Sequence, residues 1–325
     1  MRITLLVLLV FSLLAHAGYR SLDFFEDETP LSMTLIAALD SVQADRVLVH
    51  TEAHNSWILV NQADKVDSLR GSIEVRGNFR KRPENCEWPP LKVKIKKTEA
   101  YGHVLGDNRK FKLVTNCQGE NYLIREYLLY KMYGLITDCS YKVRLVDLTL
   151  RDATGLQPDV QQTGFLIEDK DDLAKRMNLV VAENARVSPE ELALQERARL
   201  YLFQYMIGNL DWDIFYEKNV SVFRQGNGTI AVPYDFDFTG CVGAPYAELE
   251  DFERRYFREL CWDAEIQEEI RQEFLSLQPK WEAQIAACKH LESSDKKEML
   301  RYFKPFFKAL EDPKAWNATF PSVCK

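Results

Sequence analysis

Two acidic pairs, Asp211/Asp213 and Asp235/Asp237, carry the chemistry most readily read from this chain. Asp211 and Asp235 are separated by 24 residues, with Asn219 between them. The first pair lies in GNLDWDIFYEKN and the second in IAVPYDFDFTG, directly after an apolar run. Val220 to Phe223 and Thr229 to Val232 read as strands, and Gly226-Asn227-Gly228 reads as the turn joining them. Such a hairpin folds the chain back and brings Asn219 close to Asp235. Two carboxylates and an amide at one mouth suit a hard divalent cation such as Mg²⁺, which prefers oxygen ligands. Asp237 is a further candidate ligand. An EF-hand is excluded, because Phe215 and Tyr216 occupy positions where that loop needs a ligand and a glycine.

The order Asp, Asn, then Asp-Phe-x matches phosphoryl-transfer sites, where one Asp handles the attacking hydroxyl and an Asn and a second Asp hold metal. Phosphate needs cationic partners. Arg76-Gly77-Asn78-Phe79-Arg80-Lys81-Arg82 is a basic loop with a glycine at a tight turn. In Leu91-Lys92-Val93-Lys94-Ile95-Lys96 apolar residues alternate with lysines, the pattern of a half-buried strand with a basic outer face. Lys92 and Lys94 share that face, and Lys112 in FKLV is a third candidate for a phosphate contact. Glu126, in the middle of a predicted helix, could pair with one of these lysines.

The elements that must position these groups fall into two parts. Residues 18–45 read as a leader helix, with Met33 to Val42 as an apolar stretch of helical length packing against the body. Strands are predicted at Val47–His50, Trp57–Val60, Ser72–Arg76, Leu91–Ile95 and Phe111–Val114, then a helix over Glu120–Tyr133 capped by Gly134. Tyr141–Leu150 and Gln162–Ile167 read as a second pair of strands. Ser188-Pro189-Glu190-Glu191 is a capping-box start for a helix running to Gly208, which delivers Asp211. Beyond Tyr246 the chain reads as helical, with stripes such as Leu249/Phe252/Tyr256/Leu260 and Ile266/Ile270/Phe274/Leu277. Pro279 is expected to break one helix and Pro305 to kink another.

At 325 residues the chain can bury a large core, and its net charge of −7 argues against non-specific nucleic-acid binding. Residues 1–17 have the form of a signal peptide: Arg2, an apolar Ile3–Leu14 and an Ala-His-Ala cleavage signal. No later segment is apolar enough to span a membrane, so an exported protein, periplasmic or extracellular, is expected. All seven cysteines lie beyond residue 17, an odd number without CxxC spacing. Cys86 and Cys117 flank the predicted sheet and are the expected disulfide.

Taken in order, IEVRGNFR, CEWPPLKVKI, KFKLVTNC, YLIREYLLYKMYGLITDCSYKVRLV, GFLIED, GNLDWD…KN and PYDFDFTG resemble the spore-coat protein H (CotH) kinase family, across residues 73–247. The resemblance implies an α+β, atypical protein-kinase-like two-lobe fold. Residues 18–135 would form a strand-rich lobe and 136–325 a helix-rich lobe carrying the acidic site. It implies transfer of the ATP γ-phosphate to a Ser/Thr-type hydroxyl of a protein acceptor, with Mg²⁺ or Mn²⁺. Asp211 would then be catalytic. Asn219, Asp235 and Asp237 would hold metal. Lys92 or Lys94 would contact phosphate and pair with Glu126, and Arg76 and Asn78 would lie near the phosphates. Two features depart from ordinary kinases: Asn219 follows Asp211 by eight residues rather than about five, and no G-x-G-x-x-G loop is present. Two other readings use the same residues: a non-catalytic surface protein binding metal or a partner, and a paired-carboxylate hydrolase.

Overall fold

The computed structural model describes residues 21–62, 65–99, 103–247, 255, 262 and 264–320. The signal-peptide reading of residues 1–17 and the Leu249–Leu260 stripe fall outside them. A short helix α1 (Ser21–Glu26) leads into strand β1 (Leu31–Ala37) and helix α2 (Leu39–Ala44). Strands β2 (Ala53–Gln62), β3 (Lys65–Val75), β4 (Leu91–Ile95) and β5 (Lys110–Thr115) follow as antiparallel neighbours. Helix α3 (Glu120–Tyr133) separates them from β6 (Val143–Asp152) and β7 (Val160–Glu168).

The sheet closes on itself in the order β1-β2-β3-β4-β5-β7-β6, and β1 completes the ring by pairing in parallel with β6. This overturns the two-lobe kinase-like expectation: the architecture is a closed seven-stranded mixed barrel with a helical C-terminal region. The difference begins at Met33–Val42, read as helix. Its first half is β1, whose burial alternates strictly, and its second half is α2. The alternation Leu31-Ser32-Met33-Thr34-Leu35 is broken by Ile36 on the outer side, and the apolar run continues without a gap into Leu39 of α2, which hides the end of the strand. The second strand pair, beyond residue 135, is the other half of the closure. Val47–His50, expected as a strand, starts on the last residue of a 3-10 turn, Asp45–Val47, and continues as irregular chain to β2.

The barrel interior is filled from alternate positions, among them Leu35, Ile58, Ile73, Val93, Leu113, Leu148 and Leu166. Gly71 on β3 leaves room for its neighbours: a Cβ there would stand 2.4 Å from the Lys94 carbonyl oxygen and 2.6 Å from Ile58 Cδ1. On β5, β6 and β7 part of the outward face is also apolar. Val114, Leu145 and Phe165 belong to a second core built around α3.

That second core continues through the rest of the chain. Helix α4 (Lys170–Met177) and the short strand β8 (Val180–Val181) precede helix α5 (Leu194–Ile207). The capping box at Ser188 and Glu191 forms, but it caps a 3-10 turn, Pro189–Glu191, and α5 starts afterwards. Strands β9 (Val220–Gln225) and β10 (Gly228–Pro233) form the expected hairpin around Gly226-Asn227, with β8 on the outer edge of β9. Helices α6 (Ala264–Ala287), α7 (Ser293–Glu311) and α8 (Pro313–Thr319) end the described chain. Pro279 lies inside α6 without ending it, and Pro305 lies inside α7. Gly134 stays in the right-handed region, whereas Gly208 takes the left-handed one (φ 66°) and turns the chain sharply out of α5.

Candidate functional site

The loop after α5 is built by its own polar groups. Asn209 accepts the Asp211 N–H at its side-chain oxygen (2.9 Å) and donates to Gln204 Oε1 (3.0 Å). The Trp212 indole N–H donates to the Asn209 carbonyl at 3.1 Å, and Asp213 and Lys218 exchange backbone hydrogen bonds of 2.9 Å. This folds Phe215 and Tyr216 outward and returns the chain at Asn219. The Asn219 amide donates to the Asp211 carbonyl (2.7 Å) and to Asp211 Oδ2 (3.0 Å), while Lys218 pairs with the other carboxylate oxygen. Asn219 therefore orients Asp211 through its NH₂ and keeps its side-chain oxygen for another partner.

The hairpin does what the spacing predicts. Pro233 lies opposite Val220, and the Tyr234 N–H donates to the Asn219 carbonyl at 3.0 Å, so Asn219 and Asp235 are side by side. Glu217, Asn219 and Asp235 all hold positive φ (49°, 52° and 62°), a conformation costly for residues with a Cβ. For Asp235 the compensation is visible: its N–H donates to the Tyr130 hydroxyl of α3 at 2.8 Å.

Behind Asp235 lies a buried ionic centre. Glu126 of α3, Asp235 and Asp237 each bring a carboxylate oxygen within 4.8 Å of the others. Arg80, from the loop between β3 and β4, sits among them. It reaches Glu126 at 3.0 Å, Asp235 at 3.0 Å and Asp237 at 3.2 Å. Burial leaves both Glu126 and Asp237 above the usual carboxylate range, and the Arg80 guanidinium offsets only part of that rise. Asp237 also accepts the Tyr246 hydroxyl at 3.1 Å. Among the described residues Glu126 thus meets an arginine and no lysine, and Asp237 is turned inward. Asp235, with its side chain 33 % exposed against 1 % for Glu126 and 6 % for Asp237, is the member that opens outward.

Sequence reasoning passed over Arg80, because it sits in a run of basic residues with no period to say which one points in. The signal that could have found it is charge balance. Three carboxylates drawn to one centre need a cation, and a basic loop was already assigned to the same neighbourhood.

Next to this centre is a cavity of about 480 Å³ between barrel and hairpin. Arg76, Asn78, Lys92 and Lys112 line its barrel side, and Glu217, Ser221 and Tyr234 line the other. Glu74, Lys92 and Lys112 form one cross-strand row over β3, β4 and β5. Lys94 and Lys110 belong to the next row; Lys110 is taken by Asp171 at 2.7 Å, and Lys94 is not among the cavity-lining residues. Lys92 is exposed and stands 4.0 Å from Glu74.

Lys112 is the lysine most altered by the site. Its ammonium lies 4.1 Å from the Tyr234 ring centre and 5.3 Å from that of Tyr141. Burial, with Arg76 adding repulsion, lowers its pKa to about 7.

The loop bearing Arg76, Asn78 and Arg80 is clamped from beneath. The buried Arg46 donates to the carbonyls of Lys81 (2.8 Å), Arg82 (3.0 Å) and Glu87 (2.7 Å), and also to that of Cys86. Cys86 is joined to Cys117, just before α3, as the sequence predicts. Cys139, Cys241 and Cys288 are free thiols. Among the described residues no helix is long and apolar enough to cross a membrane.

The chemistry available is a polar cavity of mixed charge, its barrel side carrying Arg76, Lys92 and Lys112 and its rim Glu74, Asp169, Glu183 and Glu217, close to Asp211, Asn219 and Asp235. Asn219 and Asp235 offer the hard oxygen donors that a divalent cation takes. The Glu126/Asp235/Asp237 centre is already supplied with a cation of its own. Comparison with family models and with characterised proteins found no match to this chain.

Proposed function

We propose that this chain is an exported phosphotransferase of the CotH family, moving the γ-phosphoryl group of ATP to a Ser/Thr-type hydroxyl of a protein acceptor. The observation that carries the reading is the juxtaposition of the cavity row Lys92/Lys112, with Arg76, and the oriented Asp211 beside Asn219 and Asp235. In this reading Lys112, Lys92 and Arg76 bind the triphosphate and Tyr234 walls the cavity. Asp211, held by Asn219, orients the acceptor hydroxyl and receives its proton as the oxygen attacks phosphorus. The bond to the β-phosphate oxygen breaks, and ADP leaves with that electron pair. Mg²⁺ or Mn²⁺, held by Asn219 and Asp235, would neutralise charge on the transferring group. Most of the rate would come from positioning and charge. The Cys86–Cys117 disulfide supports an oxidising compartment, periplasmic or extracellular.

The test is the thermal midpoint of the purified chain with ATP, with Mg²⁺ or Mn²⁺, and with both, because a ligand of the folded state alone raises it. A rise that needs nucleotide and metal together, and is absent in Asp235→Ala, is the expected result. A folded wild-type chain that no nucleotide shifts would replace this reading with that of a non-catalytic binding protein.

A further inference from the structure

We infer that the Arg80 guanidinium takes the place of a metal ion at the Glu126/Asp235/Asp237 centre, as a resident cation supplied by the chain. Three carboxylates with oxygens within 4.8 Å of one another are spaced as the ligands of one hard cation would be. The space they enclose is entered by Arg80. One guanidinium nitrogen lies 3.0 Å from Glu126, a second lies 3.0 Å from Asp235, and the Nε lies 3.2 Å from Asp237. Each carboxylate is thus nearest a different nitrogen, the one on Asp235 also reaching Glu126 at 3.5 Å, and the arginine side chain is only 8 % exposed.

A guanidinium keeps its charge at any physiological pH and cannot be chelated away. One positive charge is therefore held permanently among the three carboxylates, in the position an ion would take. A cation drawn to the outer side of Asp235 meets one carboxylate there, not three. Arg80 also arrives on the loop that carries Arg76 and Asn78, and that loop is fixed by Arg46 and by the Cys86–Cys117 disulfide. The resident cation consequently ties the floor of the acidic centre to the basic wall of the cavity, so Arg80 is a positioning residue. This inference holds whether or not the chain uses ATP.

The test is Mn²⁺ binding, by calorimetric titration and by the free-ion resonance signal, on the full purified chain. With Arg80 in place, Glu126→Gln is expected to leave the number of bound Mn²⁺ ions and their affinity as in wild type. A loss of affinity of about tenfold or more in that variant would make Glu126 a metal ligand and overturn the inference. Arg80→Met is expected to bind one more Mn²⁺ than wild type, and the Arg80→Met/Glu126→Gln double variant is expected to lose that ion. A folded Arg80→Met chain with no extra ion also overturns the inference. Should Arg80→Met not fold, the Glu126→Gln titration decides alone. A chain that binds no nucleotide but gains the extra ion in Arg80→Met would sink the phosphotransferase reading and keep this one.

Discussion

Lys112 is where the cavity leaves its clearest mark on a single side chain. Its ammonium is desolvated against Tyr234 and Tyr141, with its pKa at about 7 instead of the ordinary 10.5. Between those two values the unfolded chain holds a proton that the folded chain does not. Stability attributable to Lys112 therefore rises with pH across that window, and the penalty for its charge is complete below pH 7. An anionic ligand reverses the preference. Binding of a phosphate-bearing ligand at pH 8.5 is expected to take up a proton, and its affinity is expected to fall by up to about tenfold per pH unit above the lysine's pKa. Calorimetry of ATP binding in buffers of different ionisation enthalpy measures that uptake, and Lys112→Met should abolish it. Binding without proton uptake in the wild-type chain would remove Lys112 from the ligand's contacts. The lysine that matters could not have been chosen from the sequence. Lys92, Lys94 and Lys112 all read as outward residues of half-buried strands, and the covering hairpin that distinguishes Lys112 arrives some hundred residues later.

At the scale of elements, the loop from Arg76 to Pro90 is the piece whose order the site depends on. It carries Arg76, Asn78 and Arg80, has no regular structure over most of its length, and is held by Arg46 and one disulfide. The closed segment spans a sequence separation of 31 residues. Removing the cross-link by Cys86→Ser/Cys117→Ser should lower the unfolding free energy by about 3–4 kcal/mol. Denaturant unfolding gives that figure. Limited proteolysis should also find new cleavage within residues 76–90, and an unchanged digestion pattern would show that Arg46 alone fixes the loop. The disulfide itself was legible, since its cysteines bracket a run of strands. So were β4, whose lysines mark one face, and the β9–β10 hairpin, whose glycine turn is local. Strand β1 was not, because its short apolar run continues directly into α2 and a helix of the combined length shows the same composition. Local signals describe local hydrogen bonding. The β1–β6 pairing joins residues more than a hundred positions apart, and it is this pairing that converts an open sheet into a barrel.

Across the whole molecule, α3 is the member shared by barrel, site and helical region. Its Leu128 and Leu129 lie in the core that also takes in Phe165 on the barrel's outer face, and its Glu126 enters the ionic centre. On its far side the Arg125 guanidinium, 2 % exposed, pairs with Asp295 at 2.6 Å and with Glu298, and donates to the Val242 carbonyl at 3.2 Å. The Trp281 indole of α6 donates to the Met132 carbonyl of the same helix at 3.0 Å. Adjacent residues of α3 thus hold opposite sides of the structure: Glu126 takes the loop of the barrel through Arg80, and Arg125 takes α7 and the segment following Asp237. Losing one partner of a buried ion pair leaves the others desolvated without compensation, at a cost of about 3–5 kcal/mol. Arg125→Met should therefore lower the unfolding free energy by about 3 kcal/mol, the low end of that range because Glu298 is 38 % exposed and can rehydrate. Since Val242 follows Asp237 by only a few residues, the same substitution should loosen the Asp235–Asp237 turn, seen as faster amide exchange from Tyr234 to Val242. Exchange confined to α7 would mean that Arg125 anchors that helix without supporting the site. Exchange spreading through both α7 and the turn would make α3 the element that keeps the acidic centre in register with the barrel.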